Sequence, residues 1–541
     1  MRFQALFSAV CLSLALVDGA EARFAHHRRA ELLSLPNFRT PLSAARKFAA
    51  EQHKTFWNLR RDVVSDTLAA VPVLGEVPAL GARNDDPSAD SCTDCSSTLS
   101  FAGDAAKAFE VTNDIPTVGF KTKTSWAGLL PIGNQTAREL YFWLWGKDDS
   151  PSDDLVIWLN GGPGCSSLGG FLLENGPISY LNTKDRPRKG ANTWTQEANV
   201  IWVEQPVGTG FSQGTPEAKD DSDVARDFVD WWDNVLLTFP ELATKRLFVT
   251  GESYAGFYVS YIMAEFYKRG TYNLKGGLLI DATITEFTAC SDLVADAFID
   301  DAQMKQVLGL TDYQRNQVFQ DSKHCGFRHY LRDNLAFPPN GPLPPYNRDC
   351  DRFPASTMQS AAARQNPAFD IYRADGNRTY SSEFEPTGDA NTGAQHGTWF
   401  SNPDLQAAIH APNQTWEFCT TQQVFPNGDA SAPAVESVLP GVIEASSSGF
   451  IVAGGGQDAL VITNGTLLGI QNMTWGGAQG LSTPPTTPLI GKDGQVAGSF
   501  TTDRNLTFAE IPYSGHMIPA DAPQAGLALL RALLGVQPLS G

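Results

Sequence analysis

The stretch FVTGESYAGFYVSYI, residues 248–262, joins an apolar, β-branched run directly to a helical pattern. One serine, Ser253, lies at the junction between small residues, in the sequence GESYAG. A strand that turns sharply into a helix needs small flanking residues, and it presents the serine hydroxyl at a sheet edge above a helix N-terminus. The stretch therefore predicts a nucleophile elbow. The generic pattern is weak alone, and here Ala255 replaces its second glycine, so the partners of the serine must be sought elsewhere.

From about residue 108 the sequence alternates short apolar runs with amphipathic helical patterns. The strand candidates are 140–145, 155–159, 200–203, 247–250, 278–280 and 450–453. Residues 221–237 carry apolar side chains at helical spacing, with Asp221 or Ser222 as the N-cap. The alternation predicts an α/β protein with a mostly parallel central sheet flanked by helices. Residues 291–400 are polar, first helical and then proline-rich, and predict an inserted helical or irregular cap.

A nucleophilic serine needs a base and an orienting acid, and hydrolases with this type of sheet carry them in the chain order Ser, Asp or Glu, His. Six histidines lie in the basic N-terminal segment, the insertion or a polar stretch: His26, His27, His53, His324, His329 and His396. His516 lies in a loop bounded by Gly and Pro, whereas the alternative, His410, follows a helical pattern where a histidine is often only a favourable charge. Asp458 follows the apolar run SGFIVAGGG, whereas the alternative, Asp503, precedes its strand. We therefore predict Ser253, Asp458 and His516 as a catalytic triad.

A fourth segment, LNGGPGCSSLGG at residues 159–170, also follows a strand directly. Consecutive glycines let backbone N–H groups approach a ligand closely. In such hydrolases this loop supplies half of the oxyanion hole, and the residue after the nucleophile supplies the other half. The sequence thus predicts the N–H groups of Gly162 and Tyr254 as oxyanion donors. Neither GxGxxG nor GxxxxGK[ST] occurs, so a nucleotide-binding loop is not indicated.

The segments WLNGGPGCSS, TGESYAG and SGHMIP together resemble the signatures of the serine carboxypeptidase family, over about residues 108–535. The resemblance implies an α/β-hydrolase fold that needs no cofactor and removes residues one at a time from the C-termini of peptides and proteins, best in acid. The positions that match the family's site for the substrate carboxylate are Asn160, Gly161, Glu174 and Glu252. The cysteines that match a family disulfide are Cys165 and Cys419.

Two paired acids suit a carboxylate-binding site. A carboxylate can accept a hydrogen bond from a neutral carboxylic acid but not from a second carboxylate, and two glutamates in contact cannot easily both ionise. We expect Glu174 and Glu252 to share a proton, and substrate binding to weaken as the pair loses it. A buried pair with only a structural role is the alternative.

Two stretches depart from the family pattern. In GGGQD, which ends with the predicted triad residue Asp458, the preceding positions lack a second acid that family members usually carry. The run DATITEF, residues 281–287, stands where members have an asparagine- and glycine-rich run. An acyltransferase or esterase on the same scaffold and a catalytically inactive glycoprotein are the alternative functions. Retention of the residues that match the carboxylate site favours the peptidase.

The N-terminus predicts entry into the secretory pathway, to a secreted or vacuolar destination. Arg2, a short apolar run and the motif Ala20-Glu21-Ala22 form an export signal. A basic segment follows, which we interpret as a propeptide or as an extension that stays attached. The predicted organisation is signal 1–22, basic extension 23–105, hydrolase 106–290, cap 291–400 and hydrolase 401–541. Six N-glycosylation sequons fit this route: Asn134, Asn377, Asn413, Asn464, Asn472 and Asn505.

The net charge and the cysteine content limit which partners and which disulfides the sequence predicts. The formal net charge of −19 would repel a nucleic acid backbone, and no later run is long enough to span a membrane. The histidines lack metal-ligand spacing, so no metal is predicted. A local disulfide is favoured for Cys92-x-x-Cys95, and Cys325 with Cys350 could form another, which leaves Cys290 without an obvious partner. A monomer and a homodimer are both compatible with the sequence.

Overall fold

The computed structural model describes residues 95–180, 187–376 and 399–541. The strands are β1 Glu110–Val111, β2 Ser125–Ile132, β3 Gln135–Trp145, β4 Asp154–Leu159, β5 Ile178–Ser179, β6 Arg188–Lys189, β7 Asn199–Glu204, β8 Arg246–Glu252, β9 Leu274–Ile280, β10 Phe450–Gly455, β11 Thr474–Trp475, β12 Ala478–Gln479, β13 Thr487–Ile490, β14 Val496–Asp503 and β15 Leu506–Ile511. Two short hairpins, β5–β6 and β11–β12, stand apart from one eleven-stranded sheet.

The sheet has the order β1-β2-β3-β7-β4-β8-β9-β10-β15-β14-β13. Its central strands, from β7 to β15, pair in parallel, whereas both edges are antiparallel. The prediction of a mostly parallel sheet is confirmed, and the predicted strands lie within β3, β4, β7, β8, β9 and β10. Within this sheet the sequence analysis missed β1, β2, β13 and β14. β1 has only two residues, and β2 contains Gly128 and Pro131. The edge strand β13 and its neighbour β14 have mostly exposed or half-exposed positions and no clear apolar run.

Helices cover the sheet and fill the long connection between β9 and β10. They are α1 Asp104–Lys107, α2 Ser167–Gly170, α3 Asp221–Thr238, α4 Ala255–Arg269, α5 Phe287–Cys290, α6 Ala295–Asp300, α7 Ala302–Leu308, α8 Asp312–Cys325, α9 Tyr330–Asn334, α10 Pro354–Gln365, α11 Pro403–Ala408, α12 Leu439–Ala445, α13 Thr463–Asn472, α14 Ile518–Asp521 and α15 Pro523–Leu533. The predicted helix α3 is present, but its N-cap is Asp220, whose carboxylate accepts the N–H of Asp223 at 3.0 Å. The prediction of Asp221 or Ser222 as the cap was wrong.

The two faces of the sheet have separate apolar cores. Along β4, Leu155, Ile157 and Leu159 belong to one core while Val156 and Trp158 belong to the other, because successive side chains of a strand point to opposite faces. Both faces are therefore covered, as parallel sheets require. This architecture is the expected α/β-hydrolase fold. No helix in the described ranges combines the length and apolar character that a bilayer crossing would need.

The segment between β9 and β10 forms a smaller apolar cluster of its own. Leu293, Phe298, Val318 and Met358 are buried in this cluster together with Ala459, which immediately follows Asp458. The inserted helices therefore pack directly against the turn that carries a predicted catalytic residue.

Candidate active site

Ser253 occupies the turn between β8 and α4. Its φ is +64°, a left-handed conformation that costs a non-glycine residue roughly 1–2 kcal/mol. The turn is held by its carbonyl, which accepts the N–H groups of Gly256 at 2.9 Å and Thr283 at 3.0 Å. Strain that is kept in place by surrounding hydrogen bonds is common at functional sites. The side chain is half-buried at the carboxyl edge of the sheet, as the elbow pattern predicts.

The glycine-rich loop after β4 lies directly against this elbow. A Cβ atom added to Gly161 would lie 2.4 Å from the backbone nitrogen of Tyr254 and 2.9 Å from Cβ of Ser253, so only glycine permits this approach. A disulfide joins Cys165 in this loop to Cys419, the pair that the resemblance implies. The loop that carries Gly162 and the N–H after the serine thus lie side by side, where an oxyanion hole would form.

Asp458 and His516 form a buried hydrogen-bonded pair. Nδ1 of His516 lies 2.5 Å from Oδ2 of Asp458, and the two side chains are 2% and 0% exposed. Oδ1 of Asp458 accepts the N–H groups of Leu460 at 2.8 Å and Val461 at 3.0 Å, which fix the carboxylate. The backbone N–H of His516 donates to the carbonyl of Tyr372 at 2.7 Å. The aspartate therefore orients the imidazole, which leaves Nε2 as the nitrogen that can act as a base.

The sheet order explains how these residues, far apart in sequence, come to the same sheet edge. Ser253 follows β8, Asp458 follows β10 and His516 follows β15, and these strands run in the same direction with β9 between the first two. In open α/β sheets, the residues beyond the carboxyl ends of the strands share one edge, where ligands bind.

Beside the elbow, Asn160 links the two glutamates. Its Nδ2 lies 3.3 Å from Oε1 of Glu174 and 3.5 Å from Oε1 of Glu252. Its Oδ1 accepts the indole N–H of Trp158 at 2.8 Å and the N–H of Gly170 at 3.2 Å, which fixes the orientation of the amide. All three side chains of the group are buried.

Burial and proximity oppose a charge on both glutamates at once. Burial, and then the charge of Glu174, raise the pKa of Glu252 well above its ordinary value. Burial also raises the pKa of Glu174, while hydrogen bonds from Glu252 and Asn160 favour its charged form. The consistent assignment is a neutral Glu252 that donates to an ionised Glu174. Oε2 of each glutamate is buried, and in the described ranges no other group donates a hydrogen bond to it.

The alternatives to the triad lie elsewhere. His410 is exposed at the end of α11, where its Nδ1 contacts the carbonyl of Ala127 at 3.1 Å. Asp503 is paired with Arg504 at 3.0 Å. His396 lies outside the described residues.

Three site residues escaped the sequence analysis. Trp158 orients Asn160, and Tyr372 contacts His516, with ring centroids 5.2 Å apart. Asp281, the first residue of the run that departs from the family pattern, lies beside Asp458. An acid placed directly after a parallel strand was the signal that could have identified it.

The remaining cysteines are accounted for within the described residues. Cys325 and Cys350 form a disulfide, Cys95 is disulfide-bonded and Cys290 is a buried free thiol. One cluster there has metal-ligand proximity, His324 with Cys350 and Asp351, but its sulfur is already in a disulfide. It is therefore a poor metal site.

Comparison with known proteins is consistent with this geometry. A family model described as serine carboxypeptidase matches residues 116–535. The chain is 37% identical to a probable serine carboxypeptidase of Arthroderma benhamiae. The alignment covers 78% of this chain and 85% of that protein. It is 34% identical to serine-type carboxypeptidase F of Aspergillus niger, with 80% and 88% covered. The crystal structure of a prohormone-processing carboxypeptidase from Saccharomyces cerevisiae shares the fold, with a TM-score of 0.63 at 22% identity, covering 80% of this chain and 96% of that one.

Proposed function

The chain belongs to the serine carboxypeptidase family, and from this premise we propose that it releases single residues from peptide C-termini through an acyl-enzyme on Ser253. The proposal rests on one observation: two groups of polar side chains lie at the same sheet edge. The buried Asp458–His516 pair can activate a hydroxyl, and the group of Asn160, Glu174 and Glu252 can hold a carboxylate.

The proposed reaction follows from the roles of the residues. Oγ of Ser253 attacks the carbonyl carbon of the last peptide bond, and its proton passes to Nε2 of His516. The N–H groups of Gly162 and Tyr254 stabilise the negative oxygen. The C–N bond then breaks, and His516 returns the proton to the amine of the departing amino acid. Water, deprotonated by the same imidazole, hydrolyses the ester and restores the serine.

The glutamate group explains why the enzyme would act at the end of a chain. A terminal carboxylate can accept hydrogen bonds from Nδ2 of Asn160 and from the acid proton of Glu252, which then turns from Glu174 to the ligand. An internal peptide carbonyl carries no charge for these donors to balance. The raised pKa of Glu252 means that the donor proton is present in acid and is lost as the pH rises. We therefore propose an activity that is favoured at acidic pH.

The test is a released-amino-acid assay on a blocked dipeptide with a free C-terminus and on its C-terminal amide. We expect the free acid to be preferred at pH 5, with the preference declining toward pH 8, and Ser253→Ala to abolish release. Equal turnover of both substrates at pH 5 would instead indicate an esterase or acyltransferase. Failure of a fluorophosphonate to label Ser253 would indicate an inactive protein.

We also propose that the chain is a secreted or vacuolar glycoprotein with a cleaved signal and the domain organisation predicted above. Among the sequons, Asn134, Asn413 and Asn472 are exposed and so accessible to a glycan. Asn464 is half-buried in α13, and Nδ2 of Asn505 donates to two carbonyls, so these are poorer acceptors. Asn377, the signal and most of the basic extension lie outside the described residues. Glycopeptide mass spectrometry and N-terminal sequencing of the mature protein test these points.

A further inference from the structure

Asp281 is the residue that follows β9, between the strands that lead to Ser253 and Asp458. It is 2% exposed and has φ +43°, a conformation that favours glycine, so a side chain here carries a backbone cost. Its N–H donates to the carbonyl of Ala453 at 2.8 Å, which fixes it against β10. A carboxyl group is thus held within the site, although the reaction described above gives it no role.

The hydrogen bonds of Asp281 leave one oxygen without a donor. Oδ1 accepts the N–H of Gly455 at 2.6 Å. Oδ2 is buried, and in the part of the chain that the structure describes no N–H or O–H group donates to it. The carboxyl group is within hydrogen-bonding reach of Asp458. Two carboxylates cannot bond to each other, so this contact needs a proton on one of them.

The surroundings place that proton on Asp281. Asp458 already accepts three N–H groups, including that of His516, and these donors occupy both of its oxygens. Burial, followed by the charge of Asp458, raises the pKa of Asp281 well above its ordinary value. Of the other acids around the site, Asp521 on α14 further disfavours a charge on Asp281, Glu252 on β8 lies near both aspartates, and Glu174 interacts with His516. The guanidinium of Arg373 is bound to Asp521 at 2.7 Å and to Asp375 at 3.0 Å.

We propose that Asp281 is a positioning residue that stays protonated, donates a hydrogen bond to Asp458 and thereby makes His516 harder to protonate. The proposal rests on the triad of the proposed function. A donor to the carboxylate withdraws part of the negative charge that would stabilise an imidazolium. The base then remains neutral, and able to accept the serine proton, at a lower pH than it would beside an unshared carboxylate. Asp281 would thus extend the activity of the triad to lower pH.

Two substitutions at this position separate the possibilities. Asp281→Asn keeps an oxygen for Gly455 and supplies an N–H donor to Asp458 that does not titrate. Asp281→Gly removes the donor and also relieves the backbone strain. Asp292→Asn is the matched control, since Asp292 is a buried acid that accepts a single backbone N–H, from Ala355 at 3.0 Å, in the inserted helices.

The measurement is the rate of fluorophosphonate labelling of Ser253 against pH, which requires the base but not recognition of a C-terminal carboxylate. We expect the acid limb of Asp281→Asn to stay within ~0.2 pH unit of the wild type and that of Asp281→Gly to move up by ~0.5–1 unit. The control should not move. Thermal unfolding at pH 5 identifies variants that fail to fold.

Three results would overturn the proposal. A downward shift in Asp281→Asn of more than ~0.5 unit would mean that a negative charge had been removed, hence that Asp281 is ionised. An unshifted, folded Asp281→Gly would mean that the residue does not act on His516. If the glycine variant is unfolded, Asp281→Ala, which also removes the donor, takes its place in the same comparison. A wild-type protein that is not labelled at any pH refutes the proposed function itself, an outcome that differs from the first two.

Discussion

Two pairs of buried carboxyl groups lie at the same sheet edge, and they differ in what surrounds the ionised member. In Glu174–Glu252 the ionised glutamate accepts a side-chain amide, and the Oε2 atoms meet no other donor within the described residues. In Asp281–Asp458 the ionised aspartate accepts two backbone N–H groups and the imidazole. In the first pair, Oε2 of each member has no hydrogen-bond partner among the described residues, so the pair can rearrange around a ligand. In the second pair, only Oδ2 of Asp281 lacks a donor among those residues, and the proposed hydrogen bond to Asp458 uses it.

The difference shows how one physical device can serve two purposes. Where a protonated carboxyl group can turn to a ligand, as proposed for Glu252, the binding of an anion depends on pH. Where the proton is held between two carboxyl groups of the protein, as proposed for Asp281 and Asp458, it can act only on His516, which Asp458 orients. The predictions below perturb one pair or the other.

Asp458→Asn should have the largest effect. The amide cannot hold the imidazole tautomer or stabilise the imidazolium, and we expect kcat to fall by ~10⁴-fold. Peptide turnover at pH 5 measures the loss. Asp503→Asn, at the alternative acid, should remain within about twofold of the wild type. A loss of less than tenfold in Asp458→Asn would remove this residue from the triad.

Glu252→Gln should change the pH dependence of binding more than the maximal rate. Glutamine donates a hydrogen bond at every pH, whereas the wild-type glutamate donates below its raised pKa and loses the proton above it. We expect KM for a free-acid peptide at pH 8 to be lower in the variant by about tenfold, and kcat to be similar. The C-terminal amide serves as the control substrate. A parallel rise of KM in both enzymes would show that Glu252 does not bind the carboxylate.

The sequence predicted the first pair and not the second, for a physical reason. Glu174 and Glu252 lie at positions that match the family's carboxylate site, so the resemblance implies their role. Asp281 acquires its role from the pairing of β9 with β10, which places it against a residue 177 positions away in a different turn. Tyr372 similarly reaches His516 from the inserted segment. Contacts of this kind depend on register and on insertions, which a local pattern does not encode.

Sequence also fails to identify the N-cap of α3, because three adjacent residues could each serve as the cap. Asp220, Asp221 and Ser222 can each cap a helix, and propensity does not choose among them. The choice follows from tertiary contacts, because Asp221 is buried and accepts the hydroxyl of Tyr254 at 2.9 Å. The carboxylate of Asp220 is free of this contact and caps the helix.

Glu204 isolates the contribution of burial from that of pairing. It is fully buried without a second carboxyl group among its partners, and burial raises its pKa to about 7 despite hydrogen bonds from Ser166, Phe211 and Trp416. A group whose folded pKa is raised stabilises the protein fully below its unfolded pKa and loses that contribution as the pH rises through the folded value. The wild type should therefore lose about 3 kcal/mol of unfolding free energy between pH 4.5 and 7.5 on this account.

Urea unfolding of the wild type and Glu204→Gln at both pH values measures this loss. The unfolding free energy of the wild type minus that of Glu204→Gln should fall by that amount from acid to neutral pH. A constant difference would show that Glu204 keeps an ordinary pKa, and the argument from burial would then weaken for both carboxyl pairs.

Trp158→Phe should have the smallest effect, because it removes one hydrogen bond that only orients Asn160. A neutral hydrogen bond contributes ~1 kcal/mol, so we expect KM for a free-acid peptide to rise about three- to tenfold at unchanged kcat. Trp143→Phe is the matched control, since its indole donates to Oγ of Ser125 at 3.0 Å in the same apolar core. Both variants should lose similar stability. If both also raise KM equally, the effect is one of packing, and Asn160 does not need its indole partner to bind a carboxylate.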